Sequence, residues 1–484
     1  MCYKIVSRRT NLRGSEIMRD MTKGNSAKHI FMFTLPMLLG NVLQQLYNTV
    51  DSAVVGRFVG TEALAATGAS FPIIFLLVSA IIGVTMGATI MIAQFYGAKD
   101  MAKVKLTIDT TMIALFLASI IASIVGYFAS DYILVWLNTP ADVLPLASEY
   151  LKITFIGLVA MFGYNTVSAI LRGLGDSKTP LYFLILSTII NIVLDLLFVI
   201  VFEMGVAGAA WATAIAQGVS FVAAAIYLNK TSDVFNIKPS QMSFDKDILK
   251  QSLKIGLPTG VQQILVSLGM IFIQRIVNPF GTSAMAAYTV GMRLDSFGRM
   301  PIMNFSTAIS SFVGQNIGAN KHERIESGYK ASVVMSGVIS IGVSILAFAF
   351  GKQLISIFDS NPEVISIGYS YLKITSSFYL AMSLMFITSG LLRGAGDTFV
   401  PMVISVITLW IIRLPFATIM SGVIGINGIW FAFPAGWVVG AILTYIYYKT
   451  GKWNNKGVIK RSEEIEGRFS KGVHRSNDYV GSSN

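Results

Sequence analysis

"LRGLGD" occupies residues 171–176, and "LRGAGD" occupies residues 392–397, 221 positions later. One recurrence of this length can arise by chance or from a shared local role. The same offset, however, links "YLKIT" at 150–154 to "YLKIT" at 371–375, Gln94 and Gly97 to Gln315 and Gly318, and Gly60, Ala65 and Ala66 to Gly281, Ala286 and Ala287. Near the start of each copy the offset slips by one, so that Leu35-Pro36 matches Leu257-Pro258. Landmarks in register across most of both halves identify an internal duplication.

The duplicated unit is apolar. The 484-residue chain is 54% hydrophobic and 13% charged, about half the charged fraction usual in soluble domains. "FPIIFLLVSAIIGVTMGATIMIA" (71–93) has no charge, and neither has "LYFLILSTIINIVL" (181–194) before Asp195. Apolar runs of about 18 residues or more read as membrane-crossing helices. Twelve are expected, near 29–54, 62–95, 104–130, 146–171, 181–202, 205–228, 248–277, 284–317, 328–350, 364–392, 400–421 and 427–449.

The expected fold is an all-α membrane protein of twelve transmembrane helices in two pseudo-twofold-related six-helix bundles. Lobes at 22–228 and 248–450 are joined by a linker at 229–247 and flanked by tails at 1–21 and 451–484. Six helices per unit make the repeats parallel, with an axis along the membrane normal and a solute path between them. That arrangement suits alternating access.

The net charge of +12 is unevenly placed. Lys99, Lys103, Lys105, Lys178, Lys246, Lys250, Lys321, Arg324 and Lys330 are among the cations at loops after even-numbered segments. Loops after odd-numbered segments hold Asp142, Glu203, Asp359 and Glu363 with few cations. The positive-inside rule then places both termini and the linker in the cytoplasm. The basic surplus is a topology signal, and no nucleic-acid partner is expected. One cysteine, Cys2, excludes an internal disulfide framework. The first 20 residues carry four arginines and no cleavable apolar core, so no signal peptide is expected, and Met1, Met18 and Met21 are alternative starts.

Local chemistry accounts for part of the repeated hexapeptide. Arg172 and Arg393 suit helix C-termini, and the glycines permit the left-handed turn that ends a helix. Asp176 and its neighbours, followed by Pro180 (Pro401 in the second copy), supply a cap and a first-turn proline. The motif is therefore expected to be a hinge between helices four and five.

Enzyme signatures are missing. There is no G-x-x-x-x-G-K-[ST] phosphate loop, no H-E-x-x-H and no G-x-S-x-G. His29, His322 and His474 fall in loops or tails. The notable groups are ionisable residues inside apolar segments, which cost about 2.5–3.5 kcal/mol each to insert and are functional by default. Asn41, Gln44, Asn48 and Asp51 share one face of helix 1, and Ser187, Asn191 and Asp195 share one face of helix 5. Such stripes must meet a wet cavity or a partner helix. Two carboxylates with amide and hydroxyl oxygens suit a hard cation such as Na⁺ or a shared proton. The competing reading is that each Asp braces a neighbouring helix.

In the second half the charges inside apolar segments are Arg275, Arg293, Asp295, Arg299 and Arg413. The middle three are expected to form an ion-pair cluster in helix 8. Ile273 or Gln274, and Phe416, stand at the repeat positions of Asp51 and Asp195. A coupling site is therefore expected in the first lobe only. Pro36, fifteen residues before Asp51, removes one backbone hydrogen bond and gives helix 1 a place to bend.

"LPMLLGNVLQQLYNTVDSAVVGRFVG" (35–60), taken with "LRGLGDSKTP" (171–180), resembles the multidrug and toxic compound extrusion family over about residues 22–450. Pro36, Asp51, Asn191, Asp195 and Thr213 match the branch with its cation site in the N-terminal lobe. The resemblance implies a membrane antiporter, not an enzyme. It would export cationic or amphipathic drugs from the cell across the inner membrane in exchange for H⁺ or Na⁺, as a monomer without a cofactor.

The same resemblance implies that Asp51, Asn191, Asp195 and Thr213 hold the coupling ion, Na⁺ if that is the ion. Gln44, Tyr47, Asn48, Tyr150 and Asn165 would line the drug cavity. Helix 7 ("GLPTGVQQILVSLGMIFIQ", 256–274) and "FYLAMSLMFITSGLL" (378–392) lack the acids of the family's other branch. An alternative is a flippase of lipid-linked saccharides, with Arg275, Arg293, Arg299 and Arg413 meeting a pyrophosphate.

Overall fold

A computed structural model gives the fold, describing residues 19–231 and 239–459. Expectations for residues 1–18, including Cys2 and the alternative starts at Met1 and Met18, lie outside the described residues, as do those for 232–238 and 460–484. The first lobe holds α1 (Ser26–Val54), α2 (Thr61–Gly97), α3 (Met101–Trp136), α4 (Leu144–Gly173), α5 (Lys178–Asp195) and α6 (Gly205–Thr231). The second holds α7 (Lys246–Val277), α8 (Thr282–Gly318), α9 (His322–Ser356), α10 (Pro362–Ser376), α11 (Tyr379–Gly394), α12 (Phe399–Val406), α13 (Leu414–Ile424) and α14 (Ile426–Lys449). No strand occurs among the described residues.

Helix starts follow from local chemistry. Asn25, Asp100, Asp245 and Asn361 each accept a backbone N–H from the first turn of the helix they cap, as short polar side chains do at that position. Among the described residues, ten spans are long and apolar enough to cross a membrane, and α10 with α11 makes an eleventh. The twelfth is α8, whose Arg293, Asp295 and Arg299 lower its apolarity in mid-course.

Several spans depart from simple helices. The segment expected as one helix over 364–392 bends by 51° between α10 and α11. Side chains compete with the helical bonding there. Ser377 Oγ donates to Lys373 O at 2.7 Å, and Ser344 Oγ of α9 donates to Ser376 O at 2.6 Å. Hydroxyl back-bonding of this kind bends helices. The segment at 400–421 is interrupted by a π-helical stretch, Ile407–Arg413, between α12 and α13. Similar π stretches, Val55–Val59 and Leu196–Val201, follow α1 and α5, and such bulges concentrate at functional sites.

The duplication is visible in backbone conformation. Gly60 and Gly281 turn with φ 117° and 93°, Gly175 and Gly396 with 84° and 93°, and Lys99 and Asn320 with 62° and 56°. Asp176 Oδ1 accepts Lys178 N and Thr179 N, as the sequence suggested.

The repeated hexapeptide does more than cap helices, because it lies on the seam between the lobes. Gln94 Nε2 donates to Gly394 O of the second motif at 3.0 Å, and its Oε1 accepts Val458 N at 2.6 Å. Reciprocally, Gln315 Oε1 accepts Met21 N at 2.9 Å, while its Nε2 stands 2.9 Å from where a Cβ on Gly175 would lie. Backbones touch directly. A Cβ on Gly97 would fall 1.9 Å from Gln315 O, one on Gly318 1.9 Å from Gln94 O, and one on Gly87 2.0 Å from Ser252 O. In lipid, where apolar surface gains nothing by burial between helices, small residues that permit such approach drive association.

Packing on the seam is exchanged between lobes. Ile30 and Phe33 of α1 pack with Phe305, Phe312 and Leu391 of the second lobe. Ile248 and Ile255 of α7 pack with Ile92, Val104 and Leu171 of the first. These contacts lie towards the basic loops. Farther along, Asn41 Nδ2 donates to Asn304 Oδ1 at 3.0 Å. Beyond it Gln44, Asn48, Met285 and Phe297 are exposed. The lobes therefore meet on the side carrying the basic loops and diverge on the other, leaving a cleft.

Gly97→Leu cannot be accommodated without moving a backbone. Overpacking of this kind costs about 1–3 kcal/mol, so the open fraction of the seam should rise about tenfold to a hundredfold. In a Cys2→Ala background, Ser252→Cys, 2% exposed beside Gly87, should react with a maleimide that much faster when Gly97→Leu is added. An unchanged labelling rate would show that the seam does not hold the lobes together.

Candidate functional site

Asp195 ends α5, immediately before the π-helical stretch, and its side chain is 0% exposed. Asn191, one turn earlier, is also 0% exposed, and its Nδ2 donates to Thr213 Oγ1 on α6 at 3.3 Å. Thr213 Oγ1 also meets Tyr47 OH of α1 at 3.0 Å. Asp51 comes one turn after Tyr47, within coulombic reach of Asp195, and Tyr150 of α4 lies within reach of both carboxylates. Four helices thus converge on one chamber inside the first lobe, and the predicted quartet of Asp51, Asn191, Asp195 and Thr213 is brought together with Tyr47 and Tyr150.

The other expected cavity residues divide. Gln44 and Asn48 are exposed, on the face of α1 that borders the cleft. Asn165 instead turns back on its own helix, with Nδ2 donating to Met161 O at 2.8 Å. Gln217, not singled out from the sequence, joins the chamber beside Tyr47. Its spacing of four from Thr213 puts it on the same face of α6, a signal the sequence contained.

The chamber's hydrogen bonding is lopsided. Asp51 Oδ1, Asn191 Oδ1, both oxygens of Asp195 and Gln217 Oε1 are buried without a partner among the described residues. These five orphans are all acceptors. Buried polar atoms are paired as a rule, and exceptions call for an explanation. Hard oxygen donors in this number fit Na⁺, and a carboxylate pair equally fits a proton.

The second lobe fills the corresponding space. Gly205 and Gly425 both turn with positive φ, 57° and 64°, at the starts of α6 and α14. With these glycines in register, Thr213 falls on Phe433 and Gln217 on Trp437. With Pro36 on Pro258, Tyr47 falls on Gly269 and Asp51 on Ile273, which is 0% exposed and packs in a core with Phe433 and Trp437. Tyr150 keeps its counterpart in Tyr371, which packs edge-on to Trp430 with ring centroids 5.0 Å apart. Aromatic bulk thus occupies the place of the polar cage.

The charged residues of the second lobe also differ from expectation. Arg299 Nε pairs with Asp295 Oδ2 at 2.8 Å, and Asp295 Oδ1 accepts Tyr379 OH at 2.5 Å. Arg293 stays out of this cluster. Six residues on, Arg299 lies on another face of α8, while Arg293 borders a surface pocket with Gln274 and Asn278.

Removing an orphan and removing a brace should have opposite effects on stability. Tyr379→Phe leaves one oxygen of a buried carboxylate unbonded and should cost about 1–3 kcal/mol, read as a lower melting temperature in detergent. Asp195→Asn removes no hydrogen bond and should not lower it. A drop equal to that of Tyr379→Phe would make Asp195 a structural brace.

Comparisons with known proteins agree with this architecture. The sequence profile of the MatE family matches residues 36–197 and again 258–419, once per lobe. The chain is 34% identical to the probable multidrug resistance protein YpnP of Bacillus subtilis (strain 168) over 90% of this chain and 97% of that one. It is 29% identical to the probable multidrug resistance protein NorM of Thermotoga maritima over 91% and 96%. Among solved structures, the outward-facing conformation of a multidrug resistance MATE family transporter superposes with a TM-score of 0.83 at 25% identity, covering 89% of this chain and 96% of that one. A duplicated profile, relatives matched nearly end to end and a shared twelve-helix, two-bundle fold lead to one conclusion: this chain belongs to the MatE family of membrane transporters.

Proposed function

We propose that this protein is a secondary multidrug antiporter that expels cationic or amphipathic compounds in exchange for H⁺ or Na⁺. The observation that carries the reading is Asp195, with both carboxylate oxygens buried and unpartnered beside Asp51. A buried acid of this kind is costly and is accounted for if an ion periodically occupies it. Asp51, Asn191, Asp195 and Thr213 hold the ion, Tyr47 ties α1 to that cage through Thr213, and Gln44 and Asn48 face the drug. With the basic side cytoplasmic, as the positive-inside rule requires, the cleft opens outwards and the glycine seam closes the cytoplasmic side. The protein then works as a monomer in the cell membrane.

One ion moving down a tenfold gradient supplies about 1.4 kcal/mol, and its charge crossing 100 mV about 2.3 kcal/mol more. For a neutral drug these together sustain a ratio of several hundredfold, whereas for a monovalent cationic drug the potential cancels and the ion gradient alone sustains about tenfold. The flippase reading is weaker. Arg275 is exposed, Arg293 lies apart at its pocket, and Arg299 is paired with Asp295. Arg413 alone comes within electrostatic reach of Arg299, whose charge already faces Asp295, so the four arginines do not gather into one pyrophosphate cradle.

Asp51→Asn should fold, insert and bind drug, yet accumulate it no further than equilibrium in energised proteoliposomes. Asn191→Ala and Thr213→Ala should each weaken ion dependence, and the double variant should be little worse than either single, because residues acting as a unit are non-additive. Full drug accumulation by Asp51→Asn would overturn the assignment. Fully additive losses in the pair would mean separate roles.

α1 runs unbroken through Pro36, whose missing N–H leaves the helix easier to bend there. If ion binding at Asp51 works through that point, Pro36→Ala should lower turnover about tenfold while leaving drug affinity within about twofold, differences of roughly 1.4 and 0.4 kcal/mol. Efflux and fluorescence binding on the same purified protein measure both. Equal losses would make Pro36 an ordinary packing residue.

A further inference from the structure

The unmet hydrogen-bonding groups of the two lobes differ: beside the ion-paired Asp295 Oδ2 and Arg299 Nε, the second lobe leaves donors unmet. In the first lobe's chamber they are acceptors. In the aromatic core of the second lobe they include two donors, Arg413 Nε and Trp430 Nε1, both buried without a partner. Arg413 ends the π-helical stretch Ile407–Arg413, three residues before Phe416, which stands 221 positions after Asp195. A cation thus lies within a turn of the place where the first lobe has its buried acid.

Arg413 is 9% exposed. Its guanidinium stacks on Phe433 at 4.7 Å and reaches Trp437 at 5.9 Å from the ring centroids. None of its N–H groups makes a hydrogen bond to a described residue, and no carboxylate pairs with it. The acid of this lobe's core, Asp295, is already committed through one oxygen to Arg299 and through the other to Tyr379. The sealed atom is Nε, so the exposed area that Arg413 retains is at the far end of the fork. Gly436 makes room for this placement, since a Cβ there would stand 3.3 Å from Nε and 3.4 Å from Nη2.

A guanidinium offers five donors in a planar fork that matches a carboxylate. With no hydrogen bond or ion pair of its own, and with Arg299 and Asp295 both in electrostatic reach, its charge is expensive in a low-dielectric core, and cation–π contacts offset only part of that cost. We propose that Arg413 is the centre of an anion site in the second lobe. It receives a single monovalent anionic group, a carboxylate or a halide, supplied either by the transported solute or by the solution. Phe433 and Trp437 hold the guanidinium flat, and Trp430 N–H is a second unmet donor in the same aromatic cluster.

Equilibrium binding of radioactive iodide to the purified full-length protein in detergent tests this. One saturable site is expected, at least tenfold weaker in Arg413→Gln and unchanged in Asp195→Asn, so the outcome is independent of the coupling site in the first lobe. Because a buried arginine can be needed for folding, Gly436→Ala is measured alongside. Its methyl group presses on the Thr408 carbonyl and on the guanidinium, shifting it by a few tenths of an ångström without changing the charge, and it should weaken iodide as well. No saturable binding by the wild-type protein, or unchanged binding by a cooperatively melting Arg413→Gln, would overturn the proposal. Displacement of iodide by a rhodamine with a free carboxylate but not by its methyl ester assigns the group to the solute. Displacement by neither, with the iodide site intact, assigns it to the solution.

Discussion

Where Gly97 backs onto the carbonyl of Gln315, and Gly318 onto that of Gln94, main chains of the two lobes touch with no side chain between them. Everything at the centre of the molecule depends on that approach. It brings each repeated motif within reach of the other lobe's glutamine, and it lets α1 and α7 each begin against the opposite bundle. In a bilayer such contact is the available source of adhesion, because lipid competes equally for larger apolar side chains. Closing one end in this way leaves the faces beyond Asn41 and Asn304 apart, and the cleft follows from the seam.

The same constraint explains how two copies of one fold came to hold such different interiors. Backbone features that set helix ends and lobe contact recur in both halves, as the paired positive-φ residues show. Side chains turned into each bundle touch neither the seam nor the caps. One interior therefore holds Tyr47, Asp51, Thr213 and Gln217, and the other Gly269, Ile273, Phe433 and Trp437, on a shared frame. Bulk and polarity change together: where the second lobe fills its space with aromatic rings, the first has unfilled acceptors.

Buried unpaired groups are tolerated in very different ways across the chain. Asp295 is ion-paired to Arg299 through one oxygen and accepts Tyr379 OH with the other, which makes it part of the scaffold. Asp195 and Arg413 are not satisfied, and each lies beside a π-helical stretch that re-aims the helix locally. Folding stability is small beside the cost of such groups. Their persistence is better explained by a passing ligand than by packing, which is the physical basis of both proposals made above.

The sequence by itself determined the duplication, the apolar spans and their caps, since these depend on spacing, hydropathy and short-range hydrogen bonds. It also put Asp51 on the polar face of one helix and Asn191 with Asp195 on the polar face of another, because residues three and four apart share a helical face and lipid forbids exposing them. Tertiary structure decided what lies between helices. It made the hexapeptide a contact between lobes as well as a cap, turned Asn165 onto its own helix, and added Gln217 to the chamber. It also bent the span at Ser377, and it paired Arg299 with Asp295 while leaving Arg293 apart. These outcomes turn on which side chains from distant segments meet, and on how little room glycine leaves between them. A linear pattern records the face a residue occupies on its own helix, but the partner on that face is fixed only when the helices pack.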